Sequence, residues 1–412
     1  MYKLIIYIML LLDLCFFFII PLPGMLGSII NNYQKIGLSS FIIVTTLILS
    51  KYIFKNKAYF FSKNMFWLVL ILFSEGILSL FRYDQGIKSI LSNSNHYFVI
   101  IGYFIIVSYI RNNEYDIEKL EKIIIKIAII LSSVMIIQYI VYSIGGIMFL
   151  NIDKQRAISS IRFGSIRIYE AAYFPVFSMV IAIGIFLKSD NWNKMKKLSA
   201  ICIVTTLTQL LMISKGRMLF VLSILSFIYM MLIKYNNKKI KKYIMIIVVG
   251  IIIIIVSKVP VVNEFLSSIN NKDYSLLTRV DAMNYYYNQI KESPLLGTGF
   301  IEAIEGEDSY YIVRGPNGMF YKDDMGVLGI INTLGIIGAV WYVFIIIKII
   351  KILFIIKNRK EEMRYLELYG LFILIIIGTV VMNPFDSQRI STFPIFISLV
   401  ECSLRNSSRL QK

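Results

Sequence analysis

The chain has 412 residues, 57% of them hydrophobic, and a formal net charge of +18. A mean hydropathy of +0.71 excludes an ordinary soluble domain, whose apolar share is lower. A soluble helical bundle is excluded too, because its helices would be apolar all round with nowhere to bury.

Nearly uncharged runs of about 17 to 24 residues are each long enough to cross a hydrocarbon core of ~30 Å. They predict about twelve membrane helices, at 4–20, 38–54, 65–81, 96–110, 123–143, 171–187, 198–213, 218–233, 243–259, 326–350, 365–382 and 390–404. The expected class is all-α, a polytopic membrane protein forming one membrane domain over 1–412. Its long polar segment, 260–325, is read as a large external loop between helices nine and ten. The first run lacks a basic start and a small-x-small cleavage site, and Asp13 interrupts it, so a retained helix is expected rather than a signal peptide. Cys15, Cys202 and Cys402 all fall in apolar runs and read as buried small residues. There is no CxxC pair and no His/Cys cluster, so neither a metal site nor a cofactor is expected. Walker A, HExxH and dinucleotide fingerprints are absent as well.

Alternate connections carry the lysines: Lys51 to Lys63, Arg111 to Lys122, Lys188 to Lys197, Lys234 to Lys242, Lys348 to Arg364, and the tail from Arg405. The positive-inside rule puts these loops and both termini in the cytoplasm. The basic excess is then an orientation signal that also attracts anionic lipid, and not a nucleic-acid footprint. The opposite set, including 144–170, 214–217, 260–325 and 383–389, uses arginine: Arg82, Arg156, Arg162, Arg167, Arg217, Arg279, Arg314 and Arg389. Lysine serves as a compact hydrated charge, whereas arginine suits bidentate recognition of phosphate or carboxylate. Pairing with loop acids is the plainer explanation of the same bias.

Arg156, Arg162 and Arg167 form a basic cluster before Glu170, suited to a lipid-linked diphosphate or held by Asp153 and Glu170. Ser214-Lys215-Gly216-Arg217 is a tight turn between two apolar runs. It presents Arg217 to a shared cavity, or both cations snorkel to the interface. Arg279 opens an expected helix that Pro294-Leu295-Leu296-Gly297-Thr298-Gly299 ends, with glycines that permit backbone close to a ligand. Tyr310 and Tyr311 beside Arg314 suit a sugar ring or plain packing. Asp323-Asp324 precedes Gly326, Gly329, Gly335 and Gly338, whose spacing reads as helix packing. His96, the sole histidine, reads as structural.

These features resemble the Wzy-type polysaccharide polymerases, relatives of the O-antigen ligases. The resemblance rests on the topology, the Ser214–Arg217 turn, Arg279, the Pro294–Gly299 turn and Asp324-Met325-Gly326-Val327-Leu328-Gly329. It implies a bacterial cytoplasmic-membrane glycosyltransferase acting on polyprenyl-diphosphate-linked oligosaccharide repeats at the outer face. A flippase and a chain-length regulator of the same pathway are implied partners. Arg156, Arg162, Arg217, Arg279 and Arg314 would bind the diphosphate. Asp324 first, and Glu170 second, would accept the attacking hydroxyl's proton. Ligases of the clan have a histidine late in the large loop, and this loop has none, which favours polymerase. The alternatives are a ligase of the same superfamily and a lipid-linked oligosaccharide flippase.

Overall fold

The computed structural model describes residues 2–13, 37–54, 59–113, 116–150, 167–168, 172–188, 191–235, 274–361 and 363–409. The expected span at 243–259, the first part of the long polar segment, Cys15, Arg156, Arg162 and Glu170 lie outside the described residues. Every described element is helical. In order they are α1 (Tyr2–Asp13), α2 (Gly37–Ile48), α3 (Ser50–Phe54), α4 (Ser62–Tyr83), α5 (Ile87–Asn112), α6 (Ile117–Gly145) and α7 (Tyr173–Lys188). There follow α8 (Lys194–Ser214), α9 (Arg217–Lys234), α10 (Tyr274–Glu292), α11 (Asp308–Arg314), α12 (Val327–Asn358), α13 (Leu366–Val380) and α14 (Thr392–Arg409).

Six of these, α4, α5, α6, α8, α9 and α12, are long and apolar enough to cross a membrane. Together they make this a multi-pass membrane protein. The shorter α7 is apolar on every face and is buried along nearly its whole length, as such a helix must be. It packs against α6, α8, α9 and α13, and Gly184 lets it approach the backbone of Glu367. A second group forms around α12, which packs against α4, α10 and α14. Cys202 and Cys402 are free and buried in this packing.

Contacts tie the lysine-rich helix ends to one side of the bundle. Arg111 and Glu401 form a buried pair at 2.7 Å. Lys188 pairs with Glu367, Lys234 donates to the Leu187 carbonyl at 2.7 Å, and Lys348 reaches Asn64 at the start of α4. Arg82, Arg279, Arg314 and Arg389 all meet partners around 297–324, at the opposite ends of α4 and α12.

The central device of the fold is a break in α12. Gly335 adopts φ 61° and ψ −171°, which no helix tolerates. The break strips the Asn332 and Thr333 carbonyls and the Ile336 and Ile337 amides of helical partners. Backbone groups left bare at membrane depth cost several kcal/mol each, so they need other partners. The Pro294–Gly299 turn supplies all four. Thr298 and Gly299 donate to Asn332 and Thr333 at 2.7 and 3.1 Å, and Ile336 and Ile337 donate to Pro294 and Leu295 at 2.9 and 3.3 Å. The fit requires glycine on both sides. A Cβ on Gly335 would lie 2.0 Å from the Leu295 oxygen, and one on Gly297 would lie 2.6 Å from the Asn332 oxygen. The sequence pattern gives Gly297 a ligand to approach and Gly335 a packed helix; in the structure each meets the backbone of the other's segment.

Gly335→Ala should therefore destabilise the protein by at least ~2 kcal/mol, from backbone strain and the clash together. Gly86→Ala, where a Cβ meets nothing within 4 Å, should be close to neutral. Thermal melts in detergent compare the two; a Gly335→Ala protein that melts with wild type contradicts the docking.

Candidate functional site

The docked turn fixes what lies on either side of it. Phe300 donates its amide to Ser79 of α4 at 2.8 Å, and Arg82 of α4 donates to the Gly297 carbonyl at 3.2 Å. On the other flank, Lys322 donates to Thr298 Oγ1 at 3.1 Å. The short 3₁₀ turn Lys322–Asp324 is thereby held at the head of α12, where Gly326 presses against the Thr379 and Val380 carbonyls.

Arg389, just before α14, locks this corner to the 383–389 segment. Its Nη1 donates to the Asp323 carbonyl at 2.9 Å and to the Asn383 carbonyl at 3.3 Å, and it lies 3.5 Å from Asp386. Its second guanidinium nitrogen faces Asp324 at 3.7 Å, while Arg279 of α10 reaches Asp324 from the other side at 3.3 Å. Asp324 thus sits between two guanidiniums, with its side chain 42% exposed.

Beside this row lies a cavity of about 170 Å³ lined by residues that include His96, Tyr97, Arg314, Lys322, Asp323 and Asp386. Asp323 keeps contact with solvent but has protein around it at longer range. That desolvation, with the Asp386 carboxylate close by, pushes its carboxyl up to about 7 against the pull of Arg389. Burial pushes the Lys322 ammonium down to about 8, and the neighbouring Asp323 opposes it. Arg314, at the end of α11, stacks over Tyr321 at 4.3 Å.

Of the residues singled out from sequence, Arg279, Arg314 and Asp324 come together here. Arg217 heads α9, and Leu222 on its next turn packs against Gly378, beside the Thr379 carbonyl that Gly326 meets. The preceding turn is held by Arg167, whose Nε donates to the Ser214 carbonyl at 2.8 Å. Residues 167–168 therefore dock on the turn that precedes Arg217.

Residues 200–343 match the family model for O-antigen ligase. The match supports the O-antigen ligase and polymerase superfamily for this chain. Enzymes of this superfamily carry out glycosyl transfer in membranes on lipid-linked oligosaccharides. The matched segment begins in α8 and ends inside α12, so it contains the Ser214–Arg217 turn, Arg279, the docked turn and Asp324. No curated protein matches the chain.

His96, Asp386 and Arg389 lie outside the superfamily segment, and sequence reading did not assign them to a site. The signal for Arg389 was present: an arginine in the arginine-bearing set of loops, three residues after an acid. Asp386 and His96 carried no local signal, because only the packing of α5 and α14 around α12 brings them to one cavity. Asp386→Asn removes the like charge beside Asp323. The Asp323 carboxyl should then titrate at lower pH, below about 7 and toward the usual carboxylate range. An infrared pH titration of the carboxyl bands reads this directly; an unchanged titration contradicts the coupling.

Proposed function

We propose that this protein polymerises oligosaccharide repeats carried on polyprenyl diphosphate, at the outer face of a bacterial cytoplasmic membrane, with both termini cytoplasmic. The observation that carries the reading is the Arg279–Asp324–Arg389 row beside a cavity that holds an acid titrating near 7. Transfer of one repeat to another needs two things from the protein. The departing diphosphate needs cations held in place before it leaves. The attacking hydroxyl needs an acceptor for its proton, with a pKa near the working pH.

In this reading, the acceptor's oxygen bonds to the donor's anomeric carbon as the bond from that carbon to the diphosphate breaks. The electron pair leaves with the lipid diphosphate, which needs no general acid. Arg279 and Arg389 draw that charge, and Arg217, Arg156, Arg162 and Arg314 are further candidates to bind it. The hydroxyl proton passes to a carboxylate. The geometry favours Asp323, which opens on the cavity and carries, among the described residues, no guanidinium on its oxygens, over Asp324, whose two oxygens each face a guanidinium. Asp324 then orients Arg279 and Arg389. Glu170 is the remaining candidate base.

A second reading, ligase, has one observation in its favour. The long polar segment has no histidine, but His96 reaches the cavity wall from α5. Polymerase and ligase differ in the acceptor, so the product distinguishes them. A flippase and a chain-length regulator are the partners this pathway would supply.

Arg279→Ala should lower polymerisation by about 10²-fold or more, and Asp323→Asn by about 10²-fold or more, with the protein inserted at normal levels. Cells would display single-repeat glycans. With Asp323 acting as base, the wild-type rate should rise with pH through about 7 and level off above it. Normal chain lengths in both variants would overturn the site, and long glycans joined only to a different lipid acceptor would support the ligase.

A further inference from the structure

The cavity has a size and a lining that the diphosphate does not explain. At about 170 Å³ it falls well below the ~300 Å³ at which pockets for drug-sized ligands begin. It has room for one ring and not for a chain of sugars. Its walls are rings: His96 stacks on Tyr97 at 4.3 Å, and Tyr97 lies 5.6 Å from Phe300 and 6.5 Å from Phe385. All four line the cavity. Among these rings stand polar and charged side chains, Asn93, Arg314, Lys322, Asp323, Asn383 and Asp386, and convergent polar groups beside aromatic walls orient a small molecule. A sugar ring, with an apolar C–H face and a hydroxyl edge, matches both features.

The charges narrow the class further. Arg314 and Lys322 face the cavity together with Asp323 and Asp386, so the signs balance. Three of the four are already engaged: Arg314 over Tyr321, Lys322 on Thr298 and Asp386 on Arg389. The Asp323 carboxylate is left as the open acceptor. It welcomes a hydroxyl donor and repels an anion. Arg279, Asp324 and Arg389, which form the anion-binding row, are not part of this lining.

We propose that the cavity is a subsite for a single uncharged sugar residue, the one that carries the attacking hydroxyl, with the diphosphate on the Arg279–Arg389 side. This role rests on the glycosyl-transfer reading above. It makes the terminal sugar of the acceptor the unit that the enzyme inspects, and makes His96 a residue that shapes specificity.

Trp341 offers the readout, because its ring lies 5.5 Å from Phe385 in the cavity wall. The full chain in detergent would be titrated with methyl glycosides of neutral hexoses and N-acetylhexosamines and with methyl hexuronides, following tryptophan fluorescence. At least one neutral monosaccharide should saturate, with hexuronides weaker by about tenfold or more. His96→Ala should weaken that binding by about tenfold, and His96→Phe, which keeps a ring, should restore most of it. The same preparation would be given a lipid-linked repeat. If it joins repeats but binds no neutral monosaccharide, or binds hexuronides equally well, the subsite is overturned alone. If it binds a neutral monosaccharide but joins nothing, the subsite stands and the polymerase reading falls.

Discussion

A broken helix inside a membrane protein is stable only if something else satisfies its backbone, and that constraint organises this molecule. The break at Gly335 leaves two carbonyls and two amides without helical partners, and the Pro294–Gly299 turn meets all four. Irregular backbone at this depth is tolerated only where it is buried in protein or lines a cavity. Here it does both, since Gly299 and Thr333 also line the candidate site. The turn is therefore a strut rather than a flexible linker. Phe300 hangs from α4 on one side of it and Lys322 rests on it on the other.

From that strut the electrostatics follow. The Lys322–Asp324 corner has one position available, and Arg389 holds it through two main-chain carbonyls before it meets any carboxylate. A guanidinium anchored in this way keeps its orientation while its charge remains usable by an anion. Adjacent acids then divide the work. Asp324 lies between guanidiniums and holds their geometry, whereas Asp323 faces the cavity next to Asp386 and titrates near neutrality. One Asp-Asp dipeptide thus presents two different chemistries because its environments differ.

Much of this was legible in the residues. Apolar runs placed the six described helices that are long enough to cross a membrane, because length and hydropathy carry that information locally. The split between lysine and arginine loops anticipated the two sides that the buried Arg111–Glu401 pair and the Arg279–Asp324 pair now mark. The motifs at 214–217, 279, 294–299 and 324 all fall within the segment that matches the family model. The role of Gly297 was not legible, because a glycine near a ligand and a glycine near backbone leave the same trace in one sequence, and the spacing of Gly335 reads as helix packing with no sign of a break. Nor was the cavity: Tyr97, Arg314 and Phe385 belong to separate stretches, and a contact between α4 and Phe300 joins residues 221 positions apart. Such pairings are set by packing, not by local pattern.

The account stands on the strut, and amide hydrogen exchange tests it most directly. In the purified protein, the amides of 298–300 and of Ile336 and Ile337 should exchange as slowly as those in the flanking turns of α12, because each is bonded across the break. Exchange of 298–300 at the rate of an open loop would contradict the docking, and with it the arrangement of the site.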